Sequence, residues 1–309
     1  MSVRMALTRA YVRWRYRARH DLVRTMRLLP ARQAPAPVPE DVTRACVVSS
    51  VTLLGDRTVV TVAPRRQPPG PHVVYLHGGA YVYAIQEKHW TVIARLVEES
   101  GATFHIPLYG LAPASTVDDA YPLIDEVMSR VRAEAGSQPV FLSGDSAGGG
   151  LALGQAIRMR DAGDEPVRQI LLFSPWTDLM LDDPALLRWH QRDPMLSRDM
   201  LIACGELWSG DRDPADPVAS PLRADLRGLP PLVTYIGGHD LLLLDACHLH
   251  ANVRAAGGQS ELQVWPSGFH VFMAALSTRE AREVMADASR RFAGNGMRSP
   301  ASSQISGRP

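Results

Sequence analysis

The chain has 309 residues, 46% of them hydrophobic and 21% charged, which is enough apolar mass for one large α/β domain or two small ones. A net charge of +1 gives no general electrostatic reason to bind nucleic acid, and three widely spaced cysteines (Cys46, Cys204, Cys247) without a CxxC argue against a disulfide framework or a structural zinc site and fit a reducing compartment. There is no apolar run of about 18 residues to cross a membrane, and the arginine-punctuated N-terminus lacks the apolar core of a signal peptide, so a cytoplasmic protein is expected.

The first 29 residues carry eight arginines and one acid, Asp21, a net +7 that leaves −6 for the rest of the chain. Leu7, Tyr11, Trp14, Ala18, Leu22, Met26 and Leu29 recur at helical spacing, which predicts one amphipathic helix or two short ones. The expected role of that stripe is to pack on the protein's own body; an anionic membrane surface is the alternative partner. Residues 30–41 are a proline-rich linker.

From Cys46 onward strands and helices alternate. Two strands, "CVVSSVTLL" and "RTVVTVA", are followed by "HVVYLH", "TFHIP", "PVFLS", "QILLFS", "PLVTYIGG" and "ELQVW". Helical patterns lie between most of them, near 87–99, 117–135, 147–162, 241–256 and 280–292. Continuous apolar strands separated by helices predict an α/β fold, a mostly parallel eight-stranded sheet with helices on both faces. Residues 175–231 interrupt the alternation with tryptophans, prolines and one helical stretch near 198–208, as an insertion over one end of the sheet would. The Gly/Ser/Pro-rich tail from 294 is expected to be disordered.

The sharpest motif is "FLSGDSAGGGLAL". In it Gly144, Ser146 and Gly148 form Gly-x-Ser-x-Gly between a strand and a helix. A turn that tight needs small residues on either side and lifts the serine above the sheet at a helix N-terminus. A phosphate loop would want Gly-Lys-Ser/Thr, which is absent. A serine hydroxyl needs a base, and the base needs an acid to orient it. In such a fold the order is serine, acid, histidine, and the later strand ends deliver Asp240 in "VTYIGGHD" and His270 in "WPSGFHVF". Asp245 competes for the acid role but lies about a helical turn too deep. A metal cluster of Asp245, Cys247 and His248 is one helical group without partner ligands, so no metal or other cofactor is expected.

In "VVYLHGGAYVY" a buried strand runs into Gly78 and Gly79, which allows a close backbone approach. That suits an oxyanion hole, and Gly78, Gly79, Ala80 and Ala147 are its candidates, with the amides of Gly79, Ala80 and Ala147 as donors. His77 reads as a brace for the loop. Tyr81, Tyr83 and Trp176 are candidate substrate-pocket residues.

Together "HGGA", "GDSAGG", "SPWTDL", "ASPLRADLRGLPPLVTYIGGHD" and "WPSGFHVF" resemble the hormone-sensitive-lipase-like bacterial carboxylesterases of the α/β-hydrolase superfamily, over about 73–292. The resemblance implies Ser146, Asp240 and His270 as a catalytic triad. It also implies residues 1–40 and an insertion at about 177–228 as a cap on a catalytic domain at 41–293. The implied activity is hydrolysis of short to medium acyl esters, with a small-molecule ester as substrate and membrane-surface contact through the basic N-terminal helix as the less favoured addition. A lactonase or amidase would use the same triad, and a non-catalytic small-molecule-binding protein shares the fold. The family usually reads His-Gly-Gly-Gly, and Ala80 replaces its last glycine, narrowing the space for bulky alcohol groups.

Overall fold

The computed structural model describes residues 2–16, 33–65, 70–186 and 192–294. Ala18, Leu22, Met26 and Leu29 of the N-terminal stripe, Trp189 of the inserted segment and the tail beyond 294 lie outside the described residues.

The strands are β1 (Cys46–Leu53), β2 (Arg57–Pro64), β3 (His72–Leu76), β4 (Thr103–Pro107), β5 (Val140–Asp145), β6 (Ile170–Phe173), β7 (Leu232–Gly237) and β8 (Ser260–Trp265). They form one sheet in the order β1-β2-β4-β3-β5-β6-β7-β8. Only β1 with β2 and β2 with β4 pair antiparallel; every later pair is parallel. From β3 the chain first moves outward to β4. It then crosses back over β3 to β5, so the topological switch point, the usual ligand-binding place of such sheets, falls at the carboxyl ends of β3 and β5.

Because side chains alternate along a strand, the sheet feeds two cores. Val74, Leu76, Leu142, Leu172 and Ile236 point to one face. There they meet α4 (Val117–Ala135), α5 (Ala147–Asp161), α6 (Arg198–Ser209) and α7 (Leu243–Ala255). Val73, Tyr75, Phe141, Leu171 and Tyr235 point to the other. That face is covered by α1 (Val3–Tyr16), α2 (Glu40–Ala45), α3 (Glu87–Ser100) and α8 (Arg279–Phe292). All five residues of β3 are buried, which is why it reads as an unbroken apolar run. Each buried Val, Leu, Ile or Phe contributes ~1.5–3 kcal/mol of apolar burial.

Helix starts follow their caps. Thr116 and Asp119 close a capping box at α4, and Gln86 with His89 does so at α3. Gly101 ends α3 in the left-handed region at φ 71°.

One expectation is corrected. The apolar stripe of α1 does not face the body: Leu7, Tyr11 and Trp14 are exposed, and the helix docks through Met5 and Val12. Polar clasps set that orientation. Ser2 donates its N–H and its hydroxyl to the Glu280 carboxylate (2.8 and 2.7 Å), and Arg13 donates to the Arg192 carbonyl (3.0 Å). The described end of the proline-rich linker is also tied down. Ala36 N–H donates to the Ile85 carbonyl (3.0 Å), and Trp90 Nε1–H donates to the Ala36 carbonyl (2.9 Å).

Candidate active site

Ser146 stands between β5 and α5 at φ 52°, ψ −121°, a conformation L-residues rarely adopt. Surrounding bonds hold it there. Its N–H donates to the Phe173 carbonyl (2.9 Å), and its carbonyl accepts the N–H groups of Trp176 (2.8 Å) and Gly149 (3.0 Å). The flanking glycines are steric requirements. A Cβ on Gly148 would strike the Leu76 carbonyl oxygen, and one on Gly144 would strike that of Gly148. The helix can therefore start hard against β3 and β5 only with glycine at both positions.

The turn after β7 delivers Asp240 and the turn after β8 delivers His270. The two turns are pinned together where His239 N–H donates to the Gly268 carbonyl (2.9 Å). His270 Nδ1 lies 3.2 and 3.1 Å from the two Asp240 carboxylate oxygens, and its Nε2 lies 2.9 Å from Ser146 Oγ. All three residues are buried. Burial alone would lower the pKa of His270. The charge and hydrogen bond of Asp240, helped by Asp193 and Asp145, outweigh it and hold the imidazole above its ordinary value. Asp245 is also buried, but its neighbours are Asp178, Asp182 and Asp183, and burial with their charge pushes its carboxyl well above the usual range. Among the described residues its Oδ2 has no hydrogen-bond partner, and the ring nitrogens of His270 are taken by Asp240 and Ser146.

β3 ends beside β5, with Leu76 in register with Gly144, so the His77–Gly78–Gly79–Ala80 loop lies against the serine turn. Gly79, Ala80 and Tyr81 follow one another at φ 132°, 52° and 63°. The loop closes on itself through Val82 and Tyr83 N–H groups, both donated to the Gly79 carbonyl (3.1 and 2.8 Å). His77 braces it from beneath. Its Nδ1 is 2.7 Å from the Gly78 carbonyl, its ring stacks on Tyr109 at 4.5 Å, and the Tyr109 hydroxyl donates to the His77 carbonyl (2.6 Å). Burial lowers its pKa to about 4, so the ring is neutral.

Gly78 differs from its neighbours: its N–H is donated to Asp145 Oδ1 (3.0 Å) and is not free for a ligand. Asp145 is the residue before the serine, and sequence reasoning gave it no role. It also accepts the Tyr75 hydroxyl (2.8 Å) and lies 3.5 Å from His89 Nε2. Burial would raise its pKa, but the His89 charge and these hydrogen bonds hold the carboxyl below its ordinary value. A Cβ on Gly78 would collide with this carboxylate. The signal was present in Gly-Asp-Ser next to His-Gly-Gly, but only the pairing of β3 with β5 joins the two.

Asp193 was also missed. Its carboxylate accepts Leu241 N–H (2.7 Å), Met195 N–H (2.7 Å) and Leu196 N–H (2.9 Å), tying the inserted segment to the turn that carries Asp240. Burial and the nearby Asp240 charge raise its pKa to about 6.

Of the three expected pocket residues, Tyr81 and Trp176 are core. They are 1% and 0% exposed, and Tyr81 stacks on Trp208 at 4.5 Å. Trp176 Nε1–H is used by the Asp178 carbonyl (2.8 Å). Rings packed this way on all sides offer a substrate almost no surface. Tyr83 is only half-buried. Among the described residues, His72, His105 and Glu134 are a group whose ligand atoms converge within 4.8 Å. His72 opens β3, at the far end of that strand from Ser146, and its Nδ1 already hydrogen-bonds His105 Nε2 (2.9 Å).

Residues 73–274 match the family described as the α/β-hydrolase fold, and the chain belongs to that family. It is 33% identical over 228 residues to an acetyl-hydrolase of Streptomyces hygroscopicus, covering 72% of this chain and 74% of that one. An esterase of Acinetobacter venetianus is 28% identical over 222 residues, 70% of this chain and 72% of its own. The crystal structure of an esterase from the bacterial hormone-sensitive lipase family superposes with a TM-score of 0.79 at 25% identity, covering 96% of this chain and 99% of that one. Within the family the protein is an esterase- or lipase-type hydrolase of the hormone-sensitive-lipase-like group.

Proposed function

We propose that the protein is a serine carboxylesterase for short to medium acyl esters, with Ser146 as nucleophile, His270 as base and Asp240 as the acid that orients it. The observation that carries this reading is the unbroken line from Asp240 through His270 Nδ1 and Nε2 to the Ser146 hydroxyl. His270 Nε2 takes the Ser146 proton as Oγ bonds to the ester carbonyl carbon. The carbonyl oxygen becomes an oxyanion, held by the amides of Gly79, Ala80 and Ala147. Ala147 is the first residue of α5, where an N–H has no acceptor within the helix. The C–O bond to the alcohol then breaks, His270 gives its proton to the leaving oxygen, and an acyl-Ser146 ester remains. Water, deprotonated by His270, attacks that ester, the acid departs, and the serine regains its proton. Asp240 keeps Nδ1–H pointed at itself and supports the imidazolium.

The inserted segment supplies a cap, so that substrate enters a bounded site, and the exposed face of α1 takes no part in it. Tyr83 beside the Gly79–Ala80 turn and the Ala80 methyl group are the parts of this chain that limit substrate size.

A panel of p-nitrophenyl esters of rising chain length, with lactones and anilides alongside, tests the reading on the wild type and four variants. Ser146→Ala and His270→Ala lose roughly three to six powers of ten in kcat, and Asp240→Asn loses somewhat less. Asp245→Asn stays within about tenfold of wild type. Folded Asp245→Asn damaging activity more than Asp240→Asn would reverse the acid assignment. Faster turnover of lactones, of anilides or of long-chain emulsions than of soluble short esters would replace the substrate class.

A further inference from the structure

We propose that α1 is an in-plane adsorption helix for anionic lipid surfaces, which holds the hydrolase against a membrane by its outward face. The proposal does not depend on the catalytic assignments above. Val3, Leu7, Tyr11 and Trp14 are 76%, 65%, 57% and 66% exposed. They are four of the eight large hydrophobic residues exposed among the described part of the chain, gathered on one helix of 14 residues. Their spacing of four, four and three puts them on a single face, and Tyr11 and Trp14 touch at 5.9 Å between ring centroids. The opposite face is already occupied, since Met5 and Val12 are buried against the body. A helix that docks by one apolar face needs no second one facing water.

Charge says what covers this second face. α1 contains Arg4, Arg9, Arg13 and Arg15 and no acid. On the helical wheel Arg4 and Arg15 border the apolar stripe on one side and Arg13 borders it on the other. An apolar strip with Trp and Tyr, edged by arginines, matches an interface whose interior is hydrocarbon and whose surface is negative. Four arginines among the 14 described residues of α1 rule out a spanning role for them and suit a helix lying in the plane of the surface. A protein partner would need carboxylates along both edges of its groove; an anionic bilayer supplies negative charge on every side.

The attachment of α1 to the body gives adsorption a consequence. Ser2 binds Glu280, and Glu280 also accepts the Ser267 hydroxyl (3.4 Å), three residues before His270. Arg13 binds the carbonyl of Arg192, next to Asp193, which holds the Asp240 turn. A helix lying on lipid would carry both of these turns close to the surface, where apolar esters concentrate.

Co-sedimentation of the full chain tests the proposal, using vesicles of phosphatidylcholine alone and of phosphatidylcholine mixed with an equal part of phosphatidylglycerol. The expected result is binding to the mixed vesicles about tenfold or more above the neutral ones, lost in about 1 M NaCl, where the Debye length is ~3 Å. The double variant Leu7→Ser/Trp14→Ser changes only exposed side chains. It loses the binding while hydrolysing a soluble short ester at the wild-type rate, which shows that it is folded. The variant Arg4→Gln/Arg15→Gln weakens binding to the anionic vesicles. Equal binding to both vesicle types, or none to either, overturns the proposal. So does sedimentation of the wild type as a dimer that Leu7→Ser/Trp14→Ser converts to monomer, which would make the stripe a contact between copies of the chain.

Discussion

At the scale of single residues, His270 has two demands on it. To act as the proposed base it must be neutral, yet it sits among Asp240, Asp193 and Asp145, whose charges favour the imidazolium. Its pKa is raised, so kcat/KM climbs as pH rises through a midpoint above the ordinary 6.5. In Asp240→Asn the largest favourable charge is gone and burial dominates, so that midpoint moves down even as the rate falls. Recording kcat/KM against pH for both proteins checks this; an acid limb that stays in place in the variant would mean that His270 is not the group being titrated. The convergence of Ser146, Asp240 and His270 was legible because each follows a strand whose carboxyl end lies on the same side of the sheet. Asp145 and Asp193 were not. Each acts by accepting backbone N–H groups from a segment far away in sequence, Gly78 for one and Leu241 for the other. No local pattern marks such a bond.

At the scale of elements, the strands and the main helices follow their apolar patterns closely, and α4 coincides with its expected span. Periodicity is less informative about which face of a helix is docked. In α1 the conspicuous stripe is the outer one, and the inner contact rests on Met5, Val12 and two polar clasps. Likewise, aromatic residues beside a candidate site look like pocket lining in sequence, yet Tyr81 and Trp176 spend their surface on core packing. The junction of β5 with α5 depends on the absence of side chains. Gly148→Ala drives a methyl group into the Leu76 carbonyl and must push α5 away from β3. The expected cost is ~1–3 kcal/mol of stability, with a loss of activity larger than unfolding accounts for, since Ser146 moves with the helix. Denaturant unfolding beside ester turnover measures both; a variant with wild-type stability and rate would show that the contact is slack.

At the scale of the whole molecule, one sheet edge does the assembling. The carboxyl ends of β3, β5, β7 and β8 bring together the glycine loop, the serine, the acid and the histidine from positions as far apart as Gly78 and His270. The two cores on either face keep those ends in register, while α1 and the residues between β6 and β7 are attached outside that frame. This is why the candidate site can be located from motifs and substrate size cannot. The motifs sit at strand ends whose geometry the fold dictates, whereas the inserted segment between β6 and β7 has no regular pattern from which to read a pocket. The central claim is that this edge makes Ser146 a nucleophile. The most direct measurement is reaction with a fluorophosphonate probe followed by peptide mass mapping. The account predicts a single adduct on the peptide carrying Ser146, absent in Ser146→Ala and strongly slowed in His270→Ala. An active, folded protein that takes up no label, or carries it on another residue, would contradict it.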